Sequence, residues 1–460
     1  MTGVSGSGTG PYTVTISPGL YANNFRSGQS PGAWWPGFVQ NDGAENLSLD
    51  GSAIGSPGGT LEMQNCYQCR AKNVRFLNVG RNHVLVYQSA QDVIRDSYFY
   101  GAQGSSSQSY GIEFEVTSGI LVENNVMQQV TAAMMFGVGT GSVLGYNYVV
   151  NSNYGGGGSF QASYYGHAGG NLMHLWEGNN FLGIWTDVLH GSSATGTFFR
   201  NIVPAWQSGK TNYTFAITLR SWERGFNAIG NVLGQPGFHA TYESYATSTT
   251  VGVNAPTAGN SIFELGWSDY GGSGVCTNSP LAESGVNVGC DPLVRSTLMR
   301  WGNWDVVNNA VRWDSTEASP AAVPYVNANF SSSYFSTLAH TLPASLYYSS
   351  KPSWWPSAKA WPPVGPNVTA GNLGTCTGGT YAGAQATSAS QCTGGTLTPQ
   401  YAGYANSIPA QDCYLSTMHG PPDGSGGALP FDASLCYGST TTPPGQTRPA
   451  GPTGLTSTAR

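Results

Sequence analysis

Asn125-Val126, Asn147-Tyr148 and Asn201-Ile202 are copies of one short phrase that returns between Lys72 and Leu233 and decides the fold. In each copy an asparagine, or a substitute for it, precedes apolar residues. The seven copies are Asn73-Val74, Ser97-Tyr98, Asn125-Val126, Asn147-Tyr148, Asn180-Phe181, Asn201-Ile202 and Asn231-Val232, at steps of 24, 28, 22, 33, 21 and 30 residues. A period between about 20 and 50 residues indicates a solenoid.

Between these copies lies a second kind of apolar run, which is short, β-branched or aromatic, and bounded by Gly, Ser and Asn. Such runs predict strands rather than helices. They are His83–Tyr87, Gly111–Glu115, Ala133–Phe136, Ile184–Thr186 and Tyr213–Ile217. Each coil therefore holds at least two strands, and successive coils stack about 4.8 Å apart. We expect the recurrent asparagine to take the left-handed backbone at a corner and to form an amide ladder. The sequence predicts an all-β fold, a parallel β-helix solenoid of about ten coils.

The composition excludes several classes of partner. Charged residues make up 9% of the chain, against roughly 25% in typical soluble proteins, and the net charge is -6 with no basic run. We therefore expect neither nucleic acid nor an anionic membrane surface as a partner. No stretch is long and apolar enough for membrane insertion. Aromatic residues at 12% argue against disorder.

The eight cysteines indicate an oxidising compartment. Six of them lie in the loop-rich final part of the chain, and sequential pairing is the simplest arrangement. The expected disulfides are Cys276–Cys290, Cys376–Cys392 and Cys413–Cys436. Cys66 and Cys69 are expected to form a local disulfide or to remain buried thiols. The cysteines indicate secretion, although the chain opens on no signal peptide. We therefore expect a secreted, extracellular protein whose leader is absent from this sequence.

The chain divides by composition into five segments. They are an N-terminal cap with a first strand (1–45), the β-helix (46–296), an aromatic and Pro-rich segment packing on it (297–366), a Cys-rich appendage (367–437) and a Thr/Pro/Gly linker (438–460). The end of the linker is similar to the first strand of a fibronectin type III domain.

Ionisable residues concentrate in one part of this charge-poor chain. Three of the seven histidines, His167, His174 and His190, fall within 24 positions. The same region contains Glu177, Asp187, Arg200, Arg220 and Arg224. Equivalent positions on neighbouring coils lie about 4.8 Å apart, so several of these side chains could meet. Each one taken singly is more simply explained as a buried ion pair or a solvated charge; the cluster as a whole favours function.

Carboxylates, imidazoles and guanidinium groups on one face suit two reactions on sugar polymers. Two carboxylates, one of them protonated, hydrolyse a glycosidic bond. Alternatively, an arginine neutralises a uronate while a base removes the adjacent proton, which gives β-elimination. His and carboxylate side chains are also metal ligands, but their spacing here fits no fixed metal motif.

The coils from about 65 to 265 resemble the right-handed parallel β-helix repeats of the pectate lyase-like superfamily. Uncharacterised secreted bacterial β-helix proteins are similar in more detail, through the phrases Ser17-Pro18-Gly19-Leu20, Gly28–Trp35, Glu177-Gly178-Asn179, Asp187–Gly191 and Lys351–Trp355. The resemblance implies a right-handed solenoid in a superfamily of polysaccharide lyases, hydrolases, tailspikes and adhesins. Pectate lyases use calcium on an Asp cluster, which has no counterpart here. Of the polygalacturonase phrases, only His190-Gly191 is present, so neither chemistry transfers residue by residue.

The sequence favours an extracellular enzyme, a glycoside hydrolase or a polysaccharide lyase, acting on a polymer bound along a β-helix groove. The candidate catalytic residues are Glu177, Asp187, His190, His174, Arg200 and Arg220. The candidate substrate-binding residues are Glu113, Glu115, Trp176, Trp185, Trp222 and Arg224. No cofactor is required by this scheme, and calcium is the ion to test. The alternative is a non-catalytic adhesive, structural or self-associating fibre protein, which would bury or scatter those side chains.

Overall fold

The computed structural model describes residues 3–10, 12–16, 27–32, 37–105, 109–156, 158–249, 260–268, 289–318 and 340–438. The chain forms two compact units, Met1–Pro36 with Thr440–Arg460, and Gly37–Ser439. In the first unit, Gly3–Ser5 pairs antiparallel with Thr13–Thr15, and Ser27–Gln29 forms one 3₁₀ turn.

Long parallel sheets dominate the second unit, which is consistent with the predicted all-β parallel β-helix. Sheet A has nine parallel strands. In their order across the sheet they are Leu61–Gln64, Asn82–Tyr87, Tyr110–Glu115, Ala132–Phe136, Tyr164–Ala168, Ile184–His190, Ile217–Leu219, Ser261–Leu265 and Thr241–Tyr245. Successive strands belong to successive coils, apart from the last two, whose order across the sheet is the reverse of their order in the chain.

Two further parallel sheets run beside sheet A. Sheet B consists of Gly43–Glu45, Arg70–Lys72, Val93–Arg95, Leu121–Glu123, Val143–Gly145, Leu175–Glu177, Thr197–Phe199, Asn227–Ile229 and Met299–Trp301. Sheet C consists of Ser48–Asp50, Arg75–Val79, Tyr98–Ala102, Val126–Gln128 and Tyr148–Val150. Single bridges through Asn180 lead from sheet C to a four-stranded sheet of Ile202–Val203, Val232–Leu233, Asn303–Asp305 and Ala310–Arg312. The stacked strands thus extend past the boundary at residue 296 that composition suggested.

The remaining elements are short. Small sheets pair Val39–Gln40 with Cys66–Tyr67, Thr117–Ser118 with Gly139–Thr140, and Gly374–Thr377 with both Gln385–Ala386 and Thr396–Pro399. The α-helical turns are Leu293–Thr297, Ser315–Ala318, Pro409–Asp412 and Ala433–Tyr437, with 3₁₀ turns at Ala389–Gln391 and Tyr401–Gly403 and a π turn at Cys413–Thr417. None of the described helices is long and apolar enough to cross a membrane.

The predicted asparagine ladder is present, with a corrected register. Asn125, Asn147, Asn179, Asn201, Asn231 and Asn303 are joined in sequence by Nδ2–H···Oδ1 bonds of 2.9 to 3.0 Å. Each Oδ1 also accepts the backbone N–H of the preceding ladder residue, at 2.9 to 3.1 Å. The ladder residue of its coil is Asn179, not Asn180 as the phrase suggested, and Ser97 takes the same position in an earlier coil.

The left-handed backbone lies one position before the ladder, not on it. Asn124, Tyr146 and Arg200 have φ of 57°, 57° and 54°, and each immediately precedes a ladder asparagine. Glycine occupies the same position at Gly178, where φ is 68°. Asn73 is itself such a residue, with φ of 57°, so Val74 stands at its ladder position. The sequence predicted that the recurrent asparagine itself takes the left-handed backbone, and this prediction was wrong by one residue.

The interior of the coils is filled by aligned apolar side chains. In-register parallel strands place equivalent residues on top of one another, so aromatic rings stack from coil to coil. The ring centroids of Phe114 and Phe136 are 4.1 Å apart, and those of Phe76 and Phe99 are 4.7 Å apart. Burial of these side chains on one continuous inner face provides the main stabilisation of the solenoid.

Two of the predicted cysteine pairs lie at disulfide distance. The sulfur atoms of Cys376 and Cys392 are 2.05 Å apart, and those of Cys413 and Cys436 are 1.98 Å apart. Cys276, the third predicted partner, lies outside the described residues. Cys66 and Cys69 are free thiols, and burial raises the pKa of Cys66 far above its usual value.

Candidate functional site

The predicted catalytic residues lie in two separate places, not in one groove. Glu177 and Arg200 belong to sheet B and the corner after it, whereas Asp187 and His190 belong to sheet A. An enzyme that used Glu177, Asp187, His190 and Arg200 together would need them in one open groove, and the structure does not bring these four side chains together. The reason is the coil geometry, because side chains on different sheets of a solenoid point in different directions.

Glu177 fastens a distant segment onto the solenoid. Its carboxylate accepts the backbone N–H of Leu346 at 2.8 Å, the hydroxyl of Tyr146 at 2.8 Å, and a short hydrogen bond from Ser345. The side chain is 1% exposed. Burial raises the pKa of Glu177, although these hydrogen bonds oppose the shift. Because its oxygen atoms are already bonded and buried, Glu177 serves the packing of the chain.

Arg200 has the same structural role. Its guanidinium donates to three backbone carbonyl oxygens, those of Val364 at 2.6 Å, Pro343 at 2.9 Å and Leu342 at 3.3 Å. Burial lowers the pKa of Arg200 to about 10.

His174 and Trp176 lie in the core rather than at a surface. His174 Nδ1 accepts the backbone N–H of Ser142 at 3.1 Å, so the imidazole caps a corner of the preceding coil. The ring is buried against Phe136 and Trp176, and burial lowers the pKa of His174 to about 3. Trp176 is 1% exposed and packs on Phe198.

The outward face of sheet A brings together the remaining candidates. Glu115, Gly137, His167 and Asp187 lie at matching positions on four successive coils, because each directly follows one of the paired residues Phe114, Phe136, Gly166 and Thr186. Glu115, His167, Asp187 and His190 are hereafter the His167 cluster. A β-bulge after Gly166 shifts the register so that Ala168 pairs with His190. Bulges often re-aim side chains next to active sites.

His167 is held by Asp187. The Nδ1 atom of His167 lies 2.6 Å from Asp187 Oδ2, and Asp187 is 1% exposed. Burial alone would lower the pKa of His167, but the hydrogen bond to Asp187 and the charges of Asp187, Glu115 and Glu113 outweigh it, so that pKa is raised. A carboxylate on Nδ1 fixes the tautomer and leaves Nε2 as the nitrogen that can exchange a proton with a substrate. The exposed His190 ring meets His167 edge to face, with centroids 4.6 Å apart.

Glu115 is the second carboxyl group of the cluster. Its carboxylate covers Gly137, since a Cβ added to that glycine would lie 2.0 Å from Glu115 Oε1. Only a glycine on the intervening strand leaves this space. Burial and the neighbouring charge of Glu113 raise the pKa of Glu115. Two strand spacings separate Glu115 from His167, or roughly 10 Å between their Cα atoms.

Paired ions border the cluster on both sides. Arg81 Nη2 donates to Glu113 Oε1 at 2.8 Å, and Arg220 Nη1 lies 3.2 Å from Glu264 Oε2. Arg220 and Glu264 are 3% and 0% exposed, and burial raises the pKa of Glu264 to about 7.

Partly exposed aromatic rings lie next to the cluster. Tyr165 stacks on His167 with centroids 5.0 Å apart and meets Trp185 edge to face at 5.6 Å. Trp185 in turn stacks on Tyr213 at 5.8 Å. Such rings are suited to contact with the apolar faces of sugars. Trp222 is 50% exposed and lies under Arg224, whose Nε donates to Asp291 Oδ2 at 2.7 Å.

Sequence reasoning noticed His167 but assigned it no role, and it overlooked Tyr165 and Tyr213. The usable signal was alternation: Tyr165 and His167 are two residues apart in one strand and so share its outward face. Within the described ranges, no group of three or more His, Cys, Asp and Glu side chains is arranged to hold a metal ion.

Comparison with known proteins adds little to this geometry. No protein-family model matches the sequence, and no curated protein matches it. One similar solved structure is described as "Glycoside hydrolase". It is 12% identical with a TM-score of 0.28, and the match covers 46% of this chain and 38% of that one. The chain thus spans well under half of that protein's length.

Proposed function

We propose that the protein is a glycoside hydrolase that cleaves a polysaccharide lying across the outward face of sheet A. The observation that carries this proposal is the pairing of His167 with Asp187 opposite a half-buried carboxyl group, Glu115. In this scheme Glu115, whose pKa is raised by burial and by the charge of Glu113, donates a proton to the leaving oxygen. His167, oriented by Asp187, accepts a proton from the attacking water.

The charges at the site favour hydrolysis over β-elimination. Elimination from a uronate needs a cation to neutralise the substrate's carboxylate. Arg81 and Arg220 are both engaged by carboxylates, Glu113 and Glu264. The cluster itself adds the Asp187 carboxylate, which would repel a uronate. A neutral polysaccharide therefore suits this face better, with Tyr165 and Trp185 stacking on its rings.

The proposal also includes an extracellular location and the right-handed form of the β-helix. Cysteine pairs at disulfide distance fit an oxidising, extracellular compartment, where polysaccharide substrates occur. We expect the solenoid to be a right-handed β-helix of the pectate lyase-like kind. We also expect it to have about ten coils, and the chain to contain a third disulfide.

The test is an assay of purified protein against neutral and uronic polysaccharides, with and without calcium. We expect new reducing ends on a neutral polymer, no absorbance from an unsaturated uronate, and no requirement for calcium. Glu115→Gln should abolish the signal, with Asp42→Asn, the same kind of change at an exposed carboxyl group outside sheet A, as the matched control. Reducing ends together with that absorbance would indicate a lyase. No product on any polymer would refute catalysis and favour a binding or self-associating fibre protein.

A further inference from the structure

A cavity separate from the His167 cluster lies between sheet C and the C-terminal part of the chain. Its volume is about 110 Å³, and its walls include Asn180, Trp206, Gln235 and Asp423. Roughly 10–15 Å³ of such space holds one water molecule, so this cavity has room for several. It is smaller than the sites that take drug-sized ligands. A small polar molecule fits the space best.

Gln235 presents an unused acceptor to this cavity. Its side chain is buried at 4% exposure, and its Nε2 donates to Gly383 O at 3.1 Å. Its Oε1 is buried and has no hydrogen-bond partner among the described residues. The backbone of Gln235 is fixed in turn, because its N–H donates to His239 Nδ1 at 2.9 Å. A buried, unpaired acceptor is costly unless a ligand or water donates to it.

Asn180 presents a second acceptor. This residue lies beside the ladder position rather than on it, and its side chain is turned toward the C-terminal part. Its Nδ2 donates to Gln385 Oε1 at 2.7 Å and to Gln411 Oε1 at 3.3 Å, which leaves Oδ1 as the atom for a ligand. Gln385 is held by a bond from its Nε2 to Tyr401 Oη at 2.8 Å. The amide is thus oriented before any ligand arrives.

We infer that this cavity binds a neutral, hydroxyl-rich ligand of monosaccharide size. Two oriented amide oxygens and the Asp423 carboxylate are acceptors, so the ligand must donate several hydrogen bonds. Hydroxyl groups donate without bringing a charge against the neutral amides of Asn180 and Gln235, and the Asp423 carboxylate, which already accepts the backbone N–H of Ser425 at 3.0 Å, can accept from a hydroxyl as well. Trp206 adds an aromatic surface of the kind on which a sugar ring packs. The inference does not depend on catalysis at sheet A.

The test is calorimetric titration of the full chain with D-glucose, D-galactose and D-mannose, and with putrescine as a cationic donor. We expect at least one sugar to bind and putrescine not to. Gln235→Leu should weaken that binding at least tenfold. Ser208→Trp, at an exposed position on the wall, should weaken it similarly by filling the entrance without disturbing the buried amides.

Two control variants make the result specific. Asn367→Leu removes an exposed amide outside the cavity, and His167→Ala disables the sheet A cluster; both should bind the sugar as the parent chain does. If Gln235→Leu fails to fold, Ser208→Trp alone decides the matter. The inference is overturned if none of the three sugars binds, if putrescine binds in their place, or if Ser208→Trp binds the sugar with unchanged affinity.

Discussion

Asn179→Ala should destabilise the solenoid more than the small number of atoms removed suggests. Asn179 is 0% exposed and takes part in four side-chain hydrogen bonds. Its Oδ1 accepts from Asn147 N and Nδ2, and its Nδ2 donates to Asn201 Oδ1 and Leu144 O. After truncation, Asn147 Nδ2 keeps Val122 O and Asn201 Oδ1 keeps the backbone N–H of residue 179.

The Asn147 N–H has no such replacement, and the hydrogen bond from Asn179 Nδ2 to Leu144 O is lost with the side chain. Leaving a buried polar group unsatisfied costs about 1–3 kcal/mol, so we expect a loss of roughly 2–5 kcal/mol in the free energy of unfolding. The assay is urea unfolding followed by far-ultraviolet circular dichroism, with the transition midpoint compared at constant slope.

Asn227→Ala is the matched control. Asn227 is a half-buried strand residue whose amide makes one hydrogen bond, to Thr197 Oγ1 at 3.1 Å. Its loss should cost below about 1 kcal/mol. Equal shifts of the urea midpoint for the two variants would refute the view that the ladder stabilises the stack.

Three further predictions follow from individual side chains. Asp187→Asn should lower the pKa of His167, as measured by NMR titration of the ring protons, because the hydrogen bond and charge that raise it are weakened; an unchanged pKa would contradict the pairing. His174→Asn should keep the bond to Ser142 N but remove a pH dependence. Since the pKa of His174 is about 3 in the folded chain and ~6.5 when unfolded, the unfolded state alone gains a proton as the pH falls. Between pH 7 and pH 4.5 the free energy of unfolding of the parent chain, measured by urea titration, should therefore fall by about 2–3 kcal/mol more than that of the variant. Equal decreases for the two chains would refute this prediction. Tyr348→Phe removes a short hydrogen bond to Glu123 in sheet B and should lower thermal stability without changing polymer cleavage. A loss of cleavage would contradict the view that the side chains of sheet B serve packing.

The fold could be predicted because a solenoid repeats its constraints. Every coil needs an amide at the ladder corner and an apolar inner face, so the phrase around Asn125, Asn147 and Asn201 recurs. The choice between Asn179 and Asn180 could not be made from sequence. Both are asparagines in one phrase, and only the glycine at Gly178, which takes the left-handed backbone, marks the register.

The site was less predictable because it depends on contacts distant in sequence. Glu177 and Arg200 were sensible candidates as charges in a charge-poor chain. They are occupied by backbone groups of Leu346 and Val364, more than 160 positions away. No local pattern reveals such a covering segment. The His167–Asp187 pair was accessible in principle, since both lie on outward positions of neighbouring strands, but the separation of 20 residues is shorter than every step of the repeat.

The central claim is that catalysis takes place on the outward face of sheet A and not at the buried carboxylate of sheet B. The most direct measurement compares Glu115→Gln with Glu177→Gln on the neutral polysaccharide that the parent chain cleaves, by the rate of appearance of reducing ends per folded molecule. We predict at least a hundredfold loss for Glu115→Gln, the usual scale for removing a general acid, and less than a threefold change for Glu177→Gln. The reverse order, with Glu177→Gln inactive and Glu115→Gln active, would contradict the account.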